Sequence, residues 1–182
     1  MARYTSSMHT LVSHVMLVLA SISLIAQSAA GVKWTVPAGW KTEAGRPLRA
    51  ATYTIAAAAG DTATAECGVY FFGAGQGGSI DANLERWRSQ VQGPDGKPAA
   101  AKIAKRASRG LNITTVDASG AYSGLGGPIA SSPRAVPGYR LLAAVVEAPG
   151  GNLFVKFAGP AATIAANQQK FEQLLASFQK QN

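Results

Sequence analysis

Gly73-Ala74-Gly75-Gln76-Gly77-Gly78 matches the G-x-G-x-x-G spacing by which a strand-to-helix loop cradles a pyrophosphate, and Ser79 behind it is a good helix N-cap. The chemistry around the motif departs from that use. A dinucleotide loop needs an acidic residue about 20 positions further on, at a strand end, to hold a ribose hydroxyl. Here Asp95 lies in a Pro/Gly turn instead, and Asp81, in the first turn of the helix, would repel a phosphate set on its N-terminus. The spacing therefore predicts a tight turn in which glycine supplies positive φ, with Gly75, Gln76, Gly77, Gly78 and Ser79 available for contact with an anion or a partner.

Lys97, Lys102, Lys105, Arg106 and Arg109 fall within thirteen positions. On a strand, Lys102, Arg106 and Ser108 share one face while Lys105, Ala107 and Arg109 share the other, so the segment reads as a charged edge strand. Such an edge blocks strand-to-strand aggregation; its functional use would be docking through Lys102, Lys105, Arg106 and Arg109 to an anionic partner. No aromatic residue interleaves these cations, which argues against base stacking and hence against nucleic acid.

Nucleophiles and general bases are scarce. Asp81 and Glu85 stand one helical turn apart and could share a cation or work as an acid–base pair, but acidic residues near a helix N-terminus are favoured by the dipole in any case. Ser177-Phe178-Gln179-Lys180 spells S-x-x-K without its companion motifs. Cys67 has no basic neighbour in sequence and is expected to be a buried, inert thiol. Trp34, Trp40 and Trp87 are expected to pack in the core rather than to form a ligand cage. Both histidines, His9 and His14, precede residue 31. Without them the chain lacks Ser-His-Asp and Cys-His catalysis and nearly all zinc, copper and non-haem iron ligation, so no cofactor and no metal are expected. An enzyme would have to work with carboxylates alone, among them Asp81, Glu85 and Asp117.

The histidines fall in a leader. Leu11 to Ala26 is an apolar run broken by Ser13, His14, Ser21 and Ser23, and Ser28-Ala29-Ala30-Gly31 supplies small residues for a signal peptidase. A signal peptide over residues 1–30, cut before Gly31, is expected, with retention as an anchor the alternative; no Cys follows for lipidation and no twin Arg precedes it. Of the 182 residues, 152 then remain as one domain over residues 31–182, with sixteen basic and nine acidic side chains and a net charge of +7. No transmembrane segment is expected after signal removal.

The elements that would position these residues are legible from pattern. Short strands are expected at Val32–Val36, Leu48–Ile55, Ala63–Phe72, Lys102–Ser108, Leu111–Ala118, Tyr139–Ala148 and Asn152–Ala158, mostly in hairpin order. A helix over Ile80–Gln92 carries Ile80, Leu84, Trp87 and Val91 as one stripe, and a second over Thr163–Lys180 carries Ile164, Phe171, Leu174, Leu175 and Phe178. Ser119 to Gly138 reads as a long loop. The strands at residues 63–72 and 139–148 are apolar on both faces and need cover on both sides, which predicts an α+β fold: a three-layer α/β/α sandwich on a mostly antiparallel sheet.

Trp34-Thr35-Val36-Pro37-Ala38-Gly39-Trp40, the strand meander and the closing Gly159-Pro160 helix with Phe171, Leu174, Leu175 and Ser177-Phe178 resemble the PsbP-like sandwich. That fold occurs in extrinsic photosystem subunits and in small exported bacterial proteins. The stretch Glu66 to Gly73, the glycines to Gly78, Asp81-Ala82-Asn83 and Arg86-Trp87 resemble exported bacterial proteins of unknown function more specifically. The resemblance implies a periplasmic or secreted binding or assembly module rather than an enzyme. Its expected partner is an envelope protein or an anionic envelope component: phospholipid, lipopolysaccharide or polysaccharide. The alternatives are a small carboxylate-dependent hydrolase and a soluble ligand carrier.

Overall fold

The computed structural model describes residues 26–124 and 135–181. Along the chain come β1 (Ala26–Ala29), β2 (Val32–Thr35), β3 (Lys41–Thr42), β4 (Arg49–Ile55), β5 (Ala65–Phe71), α1 (Ile80–Ser89), β6 (Val91–Gln92), β7 (Ala101–Ser108), β8 (Leu111–Tyr122), β9 (Val136–Val146), β10 (Leu153–Pro160), α2 (Ala161–Ala166), α3 (Gln168–Ser177) and β11 (Gln179–Lys180). The main sheet has the order β3-β4-β5-β10-β9-β8-β6, with β7 also paired to β8, and a small sheet has the order β1-β2-β11. Every pairing among the described strands is antiparallel.

Alternation along β5, β9 and β10 divides the core in two. Cys67, Val69, Leu142, Ala144, Val155 and Phe157 join Ile164, Phe171, Leu174 and Leu175 in one buried cluster. Tyr70, Leu141, Ala143, Val145 and Phe154 join Leu84 and Trp87 of α1 in the other. The strands apolar on both faces are thus central ones, and the result is a mixed fold of mostly antiparallel sheet with three short helices among the described residues. Among those residues no helix is long and apolar enough to cross a membrane.

Helix α1 starts where the sequence predicts. Ser79 accepts from the Ala82 N–H at 3.2 Å, with Asp81 in the first turn and Arg86 and Arg88 in the last. It stops earlier than expected, at Ser89. Val91 and Gln92 are a strand paired to Tyr122 and Ala121, so Val91 reaches the same core as Leu84 and Trp87 from a strand rather than from the helical stripe.

The C-terminal helix is also shorter than its periodicity suggests, and it is broken at Asn167. There the side-chain amide donates to the Thr163 carbonyl at 3.0 Å, taking the acceptor that the helix would assign to the Asn167 N–H, which turns to Ile164 O at 3.1 Å. The stripe nevertheless holds, for Ile164, Phe171, Leu174, Leu175 and Phe178 are all buried in one cluster. Phe178 is extended, and Gln179–Lys180 pair with β2 instead of finishing the helix.

Two further expectations change. The predicted loop at 119–138 narrows, because β8 continues to Tyr122 and β9 begins at Val136; its middle lies outside the described residues. Most of the expected leader also lies outside them, but Ala26–Ala29 pair in register with Thr35–Val32, and Gly150 N–H donates to Ala30 O at 2.9 Å. A cut before Gly31 would therefore remove β1.

Candidate functional site

The cross-strand neighbours of Lys156 on β10 are Gly68 on β5 and Ala143 on β9. Both are small, so the ladder leaves a gap beside the lysine stem on the face that α1 covers. The Tyr70 ring folds into part of it: a Cβ on Gly68 would lie 2.8 Å from Tyr70 Cε2. What remains is a half-open cleft of about 30 Å³ lined by Tyr70, Phe72, Arg86, Trp87, Gln90, Phe154 and Lys156. That is about the volume one liquid water occupies, enough for the head of a small group.

The walls are aromatic. Tyr70 stacks on Phe72 at 6.2 Å, Phe72 meets Phe154 at 5.5 Å, and Trp87 stands edge-on to Phe154 at 6.5 Å. The polar groups are mostly donors. Lys156 Nζ donates to Gln90 Oε1 at 3.1 Å and lies 5.7 Å from the centre of the Tyr122 ring. Arg86 donates to Asn83 Oδ1. Trp87 is 1% exposed, and its Nε1–H has no acceptor among the described residues.

Among the described residues no carboxylate lines the cleft. Glu66, the acid that acts on Lys156 from nearby, is held by Arg49 at 2.6 Å and Arg46 at 3.2 Å. Burial, together with repulsion by Arg86 and Arg49, outweighs the attraction of Glu66 and pulls the Lys156 amine down to about 8. Burial also raises the Tyr70 and Tyr122 phenols, which stay neutral at physiological pH.

The glycine turn borders this cleft. Gly73, Gly75, Gly77 and Gly78 all have positive φ, and a Cβ on Gly77 would fall 2.5 Å from Phe154 Cε2. Asn83, itself buried, donates to Gly77 O and Ser79 O at 2.8 Å each and locks the turn onto the helix. The motif is thus satisfied by packing and by its own hydrogen bonds, while Gly75, Gln76, Gly78 and Ser79 are exposed.

The basic strand is β7. Among the described residues it pairs only with β8, and Lys102 to Ala107 are exposed without exception, Ile103 at 47%. Its cations separate rather than converge. Lys105 and Arg106 share a surface groove with Ile80, next to Ser79, and with Thr114 and Glu147, so this end of the strand meets the end of the glycine turn. Lys102 lines a different groove with Asp117, Ser119 and Pro94. Arg106 is paired with Glu172 of α3, and Arg109, in the turn with Gly110 at φ of 48° and 74°, donates to Gln179 Oε1 at 3.3 Å.

The remaining candidates are structural. Asp117 receives two hydrogen bonds from Arg140, at 2.9 and 2.8 Å, which raise the Arg140 value. Glu85 pairs with Arg88 at 3.0 Å, and Asp81 is exposed. Cys67 is fully buried and free, and burial pushes its thiol well up, as expected of an inert one. Trp34 and Trp40 pack in the opposite cluster, Trp34 donating to Tyr53 OH at 2.8 Å.

Sequence reasoning passed over Lys156. Its signal is a lone charge inside Leu153-Phe154-Val155-Lys156-Phe157-Ala158, an otherwise apolar strand. Arg86 and Gln90 carry no comparable mark, because only the fold brings them to the lysine.

No protein-family model matches the sequence, and no curated protein matches it. Among solved structures, the chain is similar to cyanobacterial PsbP from Synechocystis sp. PCC 6803, with a TM-score of 0.52 and 12% identity over 92% of this chain and 98% of that one. It is also similar to a protein of unknown function from Pseudomonas aeruginosa, with a TM-score of 0.45 and 13% identity over 85% of this chain and 94% of that one. The fold is PsbP-like.

Proposed function

We propose that the chain is an exported, non-enzymatic binding or assembly module, a three-layer α/β/α sandwich that docks through β7 to an envelope protein or an anionic envelope component. The observation that carries this reading is the exposure of β7. Lys102 and Lys105 form no ion pair among the described residues, and the outer edge of the strand is unpaired there as well. An isolated guard against aggregation needs only charge, whereas this strand also presents Ile103 and continues through Lys105 and Arg106 into the groove beside the glycine turn. The apolar run at Leu11–Ala26 and the small residues after it support a periplasmic or secreted location.

The hydrolase alternative is weakened by geometry, because Asp117 and Glu85 are engaged by arginines and neither lines the cleft. The ligand-carrier alternative is favoured by the cleft itself. Capture of tagged mature protein from crosslinked host envelopes, eluted across a salt series beside a Lys102/Lys105/Arg106/Arg109→Ala variant, tests the docking reading. A salt-labile partner absent from the variant is the expected result. Equal capture by the variant, or robust turnover of a substrate by pure protein, overturns it.

A further inference from the structure

A buried lysine without a counter-ion is costly to a fold, since removing the charge from water is compensated only where an opposite charge replaces the lost hydration. Lys156 is half-buried and forms no ion pair among the described residues, and Glu66 is held by Arg49 and Arg46 instead. The lysine's hydrogen-bond partner is the neutral Gln90 amide, its ring neighbour is Tyr122, and Arg86 at the cleft adds a second positive charge. Trp87, in the wall, also carries a buried N–H that finds no acceptor among the described residues. Such an orphaned donor is rare in a native interior. Two cations in one aromatic-walled cleft, with no carboxylate among the described residues lining it, describe the complement of an anion with an apolar body.

We propose that the cleft between α1 and the β5–β10 ladder binds the head of a small organic carboxylate, its anionic end shared by Lys156 and Arg86 and its apolar body lying at the half-open mouth against Phe72. A carboxylate is planar and can accept from both cations at once, while its body gains contact with the part-exposed Phe72 ring. The space accommodates the head of a small molecule and not a polymer. This site lies on the helix-covered sheet face and is independent of docking through β7, so either can fail without the other.

The test uses sodium benzoate as probe on full-length mature protein, followed through the indole N–H signals in two-dimensional NMR. Trp34 and Trp40, in the opposite core cluster, serve as internal references. Benzoate should shift the Trp87 indole signal saturably and bind at least about tenfold more tightly than neutral benzyl alcohol or, at matched ionic strength, chloride. Lys156→Met should weaken benzoate by about tenfold or more, and Arg86→Gln should weaken it less, because Arg86 is exposed. Both variants are read only after their spectra show native dispersion; should Lys156→Met not fold, Arg86→Gln and the benzyl alcohol comparison decide. Absence of saturation, equal binding of benzyl alcohol, chloride shifts equal to those of benzoate, or undiminished binding by the variants each overturn the proposal.

Discussion

Lys156 faces Gly68 across the β5–β10 ladder, a long cation opposite a residue with no side chain in the centre of the main sheet. The pairing places a charge where the sheet is otherwise apolar and leaves room beside it. It also makes the charge a liability for folding, which yields the first prediction.

Lys156→Met should stabilise the protein at pH 7 by about 2–3 kcal/mol, provided that no anion is bound. The sign follows from the lowered lysine value, about 8 in the fold against 10.5 for the free group. Between those values the unfolded chain holds a proton that the folded chain has released, so wild-type stability rises with pH across that window. Below about 8 the penalty is fully present. Urea denaturation of both proteins at pH 7 and above 10 should show the variant's advantage shrinking as pH rises; a variant less stable than wild type at pH 7 contradicts it.

Gly68→Ala should cost about 1–3 kcal/mol, because the new methyl would meet the Tyr70 ring. The same change moves a wall of the cleft, so benzoate binding should fall with it. A neutral effect on urea midpoints would mean that the ring moves aside freely.

Trp34→Phe removes the donor that satisfies the Tyr53 hydroxyl in the interior. Leaving that oxygen unpartnered should cost about 1–3 kcal/mol. Burial already lifts the Tyr53 phenol to about 12, with the Trp34 N–H lowering it, so loss of the donor should move its absorbance titration higher still. A Tyr53 midpoint unchanged by the substitution would contradict the assignment.

A chain starting at Gly31 should be less stable than one starting at Ala26. The four register pairs of β1 with β2 should contribute about 1–2 kcal/mol, which corresponds to about 2–8 °C in thermal midpoint. Intact-mass measurement of the exported protein identifies which chain is used. Equal midpoints for the two would show β1 to be energetically idle.

Much of the architecture is readable from pattern because burial and periodicity speak together there. Cys67, Val69 and Tyr70 mark a central strand by being apolar on both faces, and the Phe171-to-Phe178 stripe marks the core-facing side of the last helix. Helix ends are less legible. Val91 keeps helical spacing while pairing with Tyr122, and Asn167 breaks a periodic run through a side-chain hydrogen bond that spacing does not encode. For the site, the glycine turn and the basic strand stand out as local clusters of one residue type. The cleft does not, because Tyr70, Trp87 and Lys156 come from three separate segments and meet only after the sheet closes.

The proposed site makes Lys156 a destabilised cation that a bound anion would satisfy. Heteronuclear NMR of the Lys156 side chain in the ligand-free protein, titrated from pH 6 to 11, measures this directly. A midpoint near 8 that moves upward when benzoate is added is the expected result. A midpoint at the ordinary lysine value of 10.5, unmoved by benzoate, would contradict it.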